Sequence, residues 1–106
     1  MPYVVVLITV ASEGEAVKIV RKLLNEKLIA CANIVKGVHS IFWWKGNIES
    51  SNEVLVLMKT HSKLINDLIK TTKKLHSYEV PEIIVLPIKT GYAPYLQWIT
   101  SSIRKV

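Results

Sequence analysis

Four side chains carry the donors that could hold a soft or borderline metal ion: Cys31, His39, His61 and His76. None belongs to a C-x-x-C or H-x-x-x-H pair, so local spacing alone assembles no ligand set. Cys31 lies between two alanines at the start of an expected strand, where a small thiol serves as core filler. His39 falls on a long hairpin and His61 near a helix start, positions that suit surface or cap roles. His76 is more informative. It leaves a helix C-terminus, where the dipole favours a cation, and Tyr78, Glu79 and Glu82 follow closely. An imidazole and two carboxylates there form a candidate site for Cu2+ or another divalent ion. The same residues also suit a helix-terminal hydrogen-bond network that shapes the loop. Coordination requires the neutral imidazole, so metal binding should weaken as pH falls through the histidine range.

The same residues bear on catalysis. Glu79 and Glu82 are a possible acid/base pair, and Cys31 with His76 would be a thiolate–imidazole pair if folding joined them. The sequence has no G-x-S-x-G, Walker loop or dinucleotide fingerprint, and the chain is expected not to be an enzyme. Fourteen basic and eight acidic residues give a net charge of +6, which attracts anions in general. Lys63, Lys70 and Lys74 form a stripe that either meets polyanions or is the solvated back of a helix. Phe42, Trp43 and Trp44 with this charge permit single-strand stacking. A sheet-based RNA reader needs its aromatics on the central strands, however, and those are aliphatic here, so no nucleic-acid partner is expected. One cysteine allows no intrachain disulfide, which fits a reducing compartment and a cytoplasmic location, although a periplasmic protein can also lack disulfides. Pro2 to Val10 lacks a basic leader, and nothing approaches the ~20 apolar residues of a membrane span.

The elements that must position these residues follow from periodicity. Tyr3 to Val10 is a strand. Ser12 and Glu15 have capping-box spacing and open a helix that ends near Lys27 or Leu28, with Ala16, Ile19, Val20, Leu23 and Leu24 inward. Ala30 to Lys45 reads as a long strand, bent or bulged near Gly37. Lys45-Gly46-Asn47 marks a turn, and Glu53 to Thr60 returns. A second helix spans Ser62 to Leu75, with Leu64, Ile65, Leu68, Ile69, Thr72 and Leu75 on its inner face. Ile83 to Ile88 is the fourth strand, and Tyr95 to Ile103 a short last helix with Leu96 and Ile99 inward.

The order strand, helix, strand, strand, helix, strand predicts an α+β, ferredoxin-like split β-α-β fold over residues 1–106 as one domain. It would have a long β2–β3 hairpin and an added C-terminal helix. Each of the first two helices would make a right-handed crossover within a mixed sheet, which puts both helices on one side. Val4, Val6 and Ile8 then point one way and Val5 and Leu7 the other, yet both sets are apolar. A sheet face of that kind left in water is uncommon. The aromatic hairpin overreaches the domain and exposes a strand edge. Self-assembly is the expected solution, with a hetero-partner or an apolar ligand as alternatives.

Ala30-Cys31-Ala32-Asn33-Ile34, Trp43-Trp44-Lys45-Gly46 followed by Ile48-Glu49, Lys59-Thr60, His76 through Ile84, and Gly91 with Tyr95-Leu96-Gln97-Trp98-Ile99 together resemble the CutA divalent-ion tolerance family over nearly the full length. The resemblance implies a ferredoxin-like fold in a tight homotrimer with sheets packed inward. It also implies a divalent, copper-binding role in metal tolerance. His76 matches the histidine opening the family's His-Pro-Tyr segment, here with Ser77 in place of proline, and Cys31 matches a cysteine common in the Ala-Cys-Ala stretch. Glu79 and Glu82 complete the expected metal set. Some copper-binding relatives carry a strand-one cysteine and a histidine just before His76; Ile8 and Leu75 stand there in this chain. The implied trimer also resembles nitrogen-regulatory signalling proteins, which bind metabolites in clefts between subunits. The alternative function implied is therefore a sensor of a small anion, with Lys59, Tyr78, Glu79 and Trp98 lining the cleft.

Overall fold

The computed structural model describes residues 2–106. Its elements are β1 (Tyr3–Val10), α1 (Glu13–Asn25), β2 (Cys31–Trp44), β3 (Asn47–His61), a 3-10 turn (Ser62–Leu64), α2 (Ile65–Leu75), β4 (Ile83–Pro87) and α3 (Ala93–Ser102). The four strands lie in the order β2-β3-β1-β4, the ferredoxin-like arrangement. The expectation of a mixed sheet is corrected. β1 pairs antiparallel with both β3 and β4, and β2 pairs antiparallel with β3. Each crossover returns to a strand parallel with its start, but another strand lies between the two, so no parallel neighbours arise.

Alternation along the central strands sets the two faces. Val4, Val6, Ile8 and Val10 of β1 and Val54, Val56, Met58 and Thr60 of β3 are buried in the main core with Ala16, Ile19, Leu23 and Leu68 of the helices. Val5 and Leu7 face the other way, in register with Lys59 and Leu57 of β3 and with Leu86 and Ile84 of β4. Ile84 and Leu86 are 45% and 47% exposed, so the second apolar face is left open in one chain.

The ends of the elements have local causes. Ser12 caps α1, its Oγ accepting the Glu15 N–H at 3.2 Å. Only this half of the expected capping box forms, because the Glu15 carboxylate is engaged elsewhere. α1 stops at Asn25, short of the expected Lys27 or Leu28, in a Schellman motif: Lys27 takes φ 55°, its N–H donates to Leu24 O, and Leu28 N–H donates to Leu23 O. The freed carbonyls are taken up by other elements. Thr60 Oγ1 donates to Leu28 O at 2.6 Å, and Arg104 donates through Nε to Glu26 O and through its backbone N–H to Lys27 O. These bonds fix the C-terminal segment against the α1 end, with Leu96, Ile99 and Ile103 buried.

The β2–β3 hairpin closes through Lys45 and Gly46 at φ 50° and 84°, the two positive values that a type I′ turn requires. β3 begins at Asn47, six residues before the expected Glu53. Ile48 to Asn52 shows no apolar alternation, but pairing with the aromatic arm of β2 holds it extended. The expected irregularity near Gly37 is a β-bulge: Val35 pairs with Leu55 and Val38 with Glu53, so Lys36 and Gly37 (φ 78°) oppose Val54 alone. The extra residue reverses the parity of β2. Beyond the bulge Val38, Ser40, Phe42 and Trp44 share a face with Glu53, Ser51, Glu49 and Asn47.

Candidate functional site

β1 ends at Val10 opposite Val54, so the hairpin continues beyond the sheet. The loop after α2 stands across from this overhang, and the two enclose an open groove of about 870 Å³. Ser40, Phe42, Trp44, Glu49, Ser51 and Glu53 line the hairpin side, and Ser77 to Val80 with Glu82 line the loop side.

The loop is held from three elements. His76 has a fully buried side chain, 0% exposed. Its Nδ1 accepts the Tyr78 N–H at 3.1 Å, so the proton sits on Nε2, which donates to the Thr9 carbonyl at 2.8 Å. Glu15 accepts both the N–H and the hydroxyl of Ser77, at 2.9 and 2.8 Å, and its Oε2 lies 3.5 Å from His76 Nδ1. The Tyr78 hydroxyl donates to Glu53 Oε2 at 2.6 Å. Burial is the main reason the Tyr78 phenol is held well above its ordinary range, and the Glu53 bond and charge add to it. Thr9 Oγ1 reaches Glu82 Oε1 at 3.4 Å.

Of the residues expected to bind metal, the fold brings His76, Glu79 and Glu82 to one loop and places Cys31 elsewhere. Cys31 is in register with Lys59, and Lys59 with Val5, whereas His76 contacts Thr9 four residues further along β1, a run of about 13 Å. A thiolate–imidazole pair is therefore not formed within one chain. The His76 ring offers no free nitrogen, because both are hydrogen-bonded. Among the described residues no three His, Cys, Asp or Glu side chains converge to hold an ion. Within a single chain the four expected ligands are thus not a metal site, and His76 forms the loop-shaping network that was its other reading.

The expected cleft residues also separate. Tyr78 bonds Glu53, while Lys59 stands six residues along β3, about 20 Å away. Lys59 Nζ donates to Asn33 Oδ1 on the open sheet face. At that end the Tyr95 hydroxyl contacts Cys31 Sγ at 3.3 Å, which with burial pushes the Tyr95 phenol up to about 12, and Trp98 packs on the Tyr95 ring at 5.4 Å between centroids. Lys59 and Trp98 thus share one end of the chain and Tyr78 the other.

Sequence reasoning missed Glu15, Glu49 and Glu53. Glu53 carried a usable signal: it is in phase with Leu55 and Leu57, an acid on the apolar side of a strand, and it is 7% exposed. Glu15 has capping-box spacing in the sequence, and only the fold shows it reaching Ser77.

No helix among the described residues is long and apolar enough to cross a membrane. Residues 4–102 match the family model described as CutA1 divalent ion tolerance protein. The chain is 46% identical over 95 residues to the divalent-cation tolerance protein CutA of Thermus thermophilus, covering 90% of this chain and 92% of that one. It is 39% identical over 105 residues to the chloroplastic protein CutA 1 of Oryza sativa, covering 99% of this chain but only 59% of that protein's length. The crystal structure of CutA1 from Oryza sativa superposes with a TM-score of 0.96 at 39% identity, covering 100% of this chain and 97% of that one. The Cut A1 structure from Thermus thermophilus gives 0.93 at 44% identity over 95% and 98%. A match of this extent, on a sheet order and hairpin that agree with it, places the chain in the CutA1 divalent ion tolerance family.

Proposed function

We propose that this chain acts in divalent-cation tolerance as a homotrimer that binds its cation between chains, with Glu79 and Glu82 as oxygen donors. The observation that carries this reading is one of incompleteness: among the described residues of one chain donors do not converge, while the sheet keeps an apolar face uncovered. Neighbouring copies remedy both. They cover Val5, Leu7, Leu55, Leu57, Ile84 and Leu86, and they bring further donors to the loop. Carboxylate oxygen suits hard ions such as Mn2+ or Mg2+. Copper is the less suited ion, because His76 is occupied and Cys31 is remote. A reducing, cytoplasmic setting fits the single thiol.

Sedimentation with and without Leu57→Glu tests the assembly. The wild type should run as a trimer and the variant, with a charge on the open face, as chains of 12.0 kDa. Titrating metal-free protein with Mn2+ and Cu2+ tests the site. Saturable Mn2+ heat that E79Q and E82Q abolish supports it, and a wild type that binds neither ion refutes it. Lys59 and Trp98, together at the other end of the open face, favour a second reading as a small-anion sensor between chains. Saturable binding of a nucleotide lost in K59A, with no metal heat, would select it.

A further inference from the structure

Three acids lie within α1 and α2, and each is engaged: Glu13 pairs with Lys36, Glu15 accepts from Ser77, and Asp67 pairs with Arg104. The bases are not matched in this way. Lys22 has Glu26 at 2.9 Å, but Lys18 and Arg21 of α1, Lys63 of the 3-10 turn, and Lys70, Lys73 and Lys74 of α2 form no ion pair among the described residues. All six are exposed. Their spacing sets them against one another. Lys18 and Arg21, like Lys70 and Lys73, stand at i,i+3; Lys18 and Lys22, like Lys70 and Lys74, stand at i,i+4, where like charges lower helix stability. Lys73 and Lys74 suit the negative C-terminal end of α2, but Lys63 sits at its positive N-terminal end. A bound anion offsets a repulsion of this kind, which the chain's own acids leave in place.

These cations share one surface. α1 and α2 lie antiparallel on the same side of the sheet. Glu15, near the start of α1, bonds Ser77 beyond the end of α2, and Arg104 joins Glu26 beyond the end of α1 to Asp67 in the first turn of α2. Along α2, Lys63 to Lys70 spans about 10 Å and Lys70 to Lys74 about 6 Å. Asn66, Ile69, Lys70, Lys73 and Lys74 bound an open hollow of about 470 Å³ there. The helices cover the Val4, Val6 and Ile8 face of the sheet, so copies stacked on the Val5 and Leu7 face leave this surface in water.

The make-up of the surface decides which anion fits. Five of the six cations are lysines, point charges without the planar fork that grips a single carboxylate or phosphate. Neither helix has an aromatic residue on which a base could stack. In the homotrimer three such surfaces face apart, so a flat lipid surface meets one at a time, whereas a flexible chain runs from one to the next. We propose that the outer face of α1 and α2 binds inorganic polyphosphate, a flexible line of phosphates without bases. Glu79 and Glu82 take no part, so this site and the cation site can fail independently.

Calorimetry on the whole chain, with divalent ions chelated and long-chain polyphosphate as titrant, tests it. Saturable binding is expected that weakens as salt rises and exceeds the binding of a thymidine oligonucleotide of equal charge or of phosphatidylglycerol vesicles. The double variant K70Q/K74Q and the single variant K45E each lower the net charge from +6 to +4, one on this surface and the other at the hairpin turn. K70Q/K74Q should weaken polyphosphate by about tenfold and K45E by less than about twofold, with circular dichroism and sedimentation unchanged. All three lysines are exposed, so both variants retain the core. Three results overturn the proposal: no saturable polyphosphate heat, tighter binding of the oligonucleotide or the vesicles, or equal weakening by the two variants, which would mean general attraction to a basic protein.

Discussion

Replacing His76 by alanine separates its two roles most sharply. The ring is fully buried and uses both nitrogens, one on the Thr9 carbonyl and one on the Tyr78 N–H. Alanine leaves the Thr9 carbonyl without its side-chain partner at the end of β1, and a stranded buried acceptor costs about 1–3 kcal/mol. The Tyr78 N–H is only part-buried and recovers most of its bond from water. Lost packing of the ring against Tyr78, whose centroid is 4.7 Å away, adds about 1 kcal/mol. The sum is about 3 kcal/mol. Glutamine can still donate to Thr9 and should recover about half of that; asparagine can still accept from Tyr78 and should recover less.

Urea unfolding at a fixed chain concentration reads these differences, with the concentration held constant because assembly shifts apparent stability. A parallel Cu2+ titration reads the other role. If H76A removes one Cu2+ equivalent per chain and changes stability by less than about 0.5 kcal/mol, the ring is a ligand and the hydrogen-bond argument is wrong. The expected result is the reverse: a large loss of stability, with H76Q ranked above H76N above H76A.

Thr60→Val keeps the volume of a fully buried side chain but strands the Leu28 carbonyl, so urea unfolding should show a loss of about 1–2 kcal/mol. Phenolate absorbance should show Tyr78 ionising last on alkaline titration, because its folded pKa is raised above the unfolded 10.0. Its contribution is complete below pH 10.0 and is lost as pH rises through the folded value, and E53Q should move its ionisation to lower pH.

The elements carrying a strong period were legible in the sequence. β1 runs from Tyr3 to Val10 as expected, because both of its faces are apolar. The inner faces of the helices follow the 3.6-residue spacing, although Val17 and Leu24, at the margin of the α1 stripe, stand 36% and 39% exposed. The boundaries were less legible where a partner rather than propensity fixes them. Asn47 to Asn52 is extended because β2 pairs with it, and no single-strand pattern shows that. α1 ends by a left-handed Lys27, a conformation that glycine normally signals, so the stop was hidden. Crossovers alone suggest a mixed sheet, but β3 between β1 and β2, and β1 between β3 and β4, make every neighbour antiparallel.

The candidate site was less legible for a related reason. His76, Tyr78, Glu79 and Glu82 announce themselves by being close in sequence, and closeness in sequence suggested ligation. Folding gives the histidine away to the backbone of β1, so the most ligand-like residue becomes the one that builds the wall. Beside Glu79 and Glu82, the groove's other carboxylates, Glu49 and Glu53, come from β3, and their common face is set by register. A single extra residue at Lys36-Gly37 shifts which β2 side chains they meet. Register and bulge depend on pairing between segments far apart in sequence, so chemistry built on them stays hidden until the hairpin is formed. The same dependence makes the groove sensitive to the hairpin: were the whole of β2 to pair regularly onward from Val35 and Leu55, Phe42 would oppose Ile48 and turn to the face opposite Glu49 and Glu53, with every acid still in place.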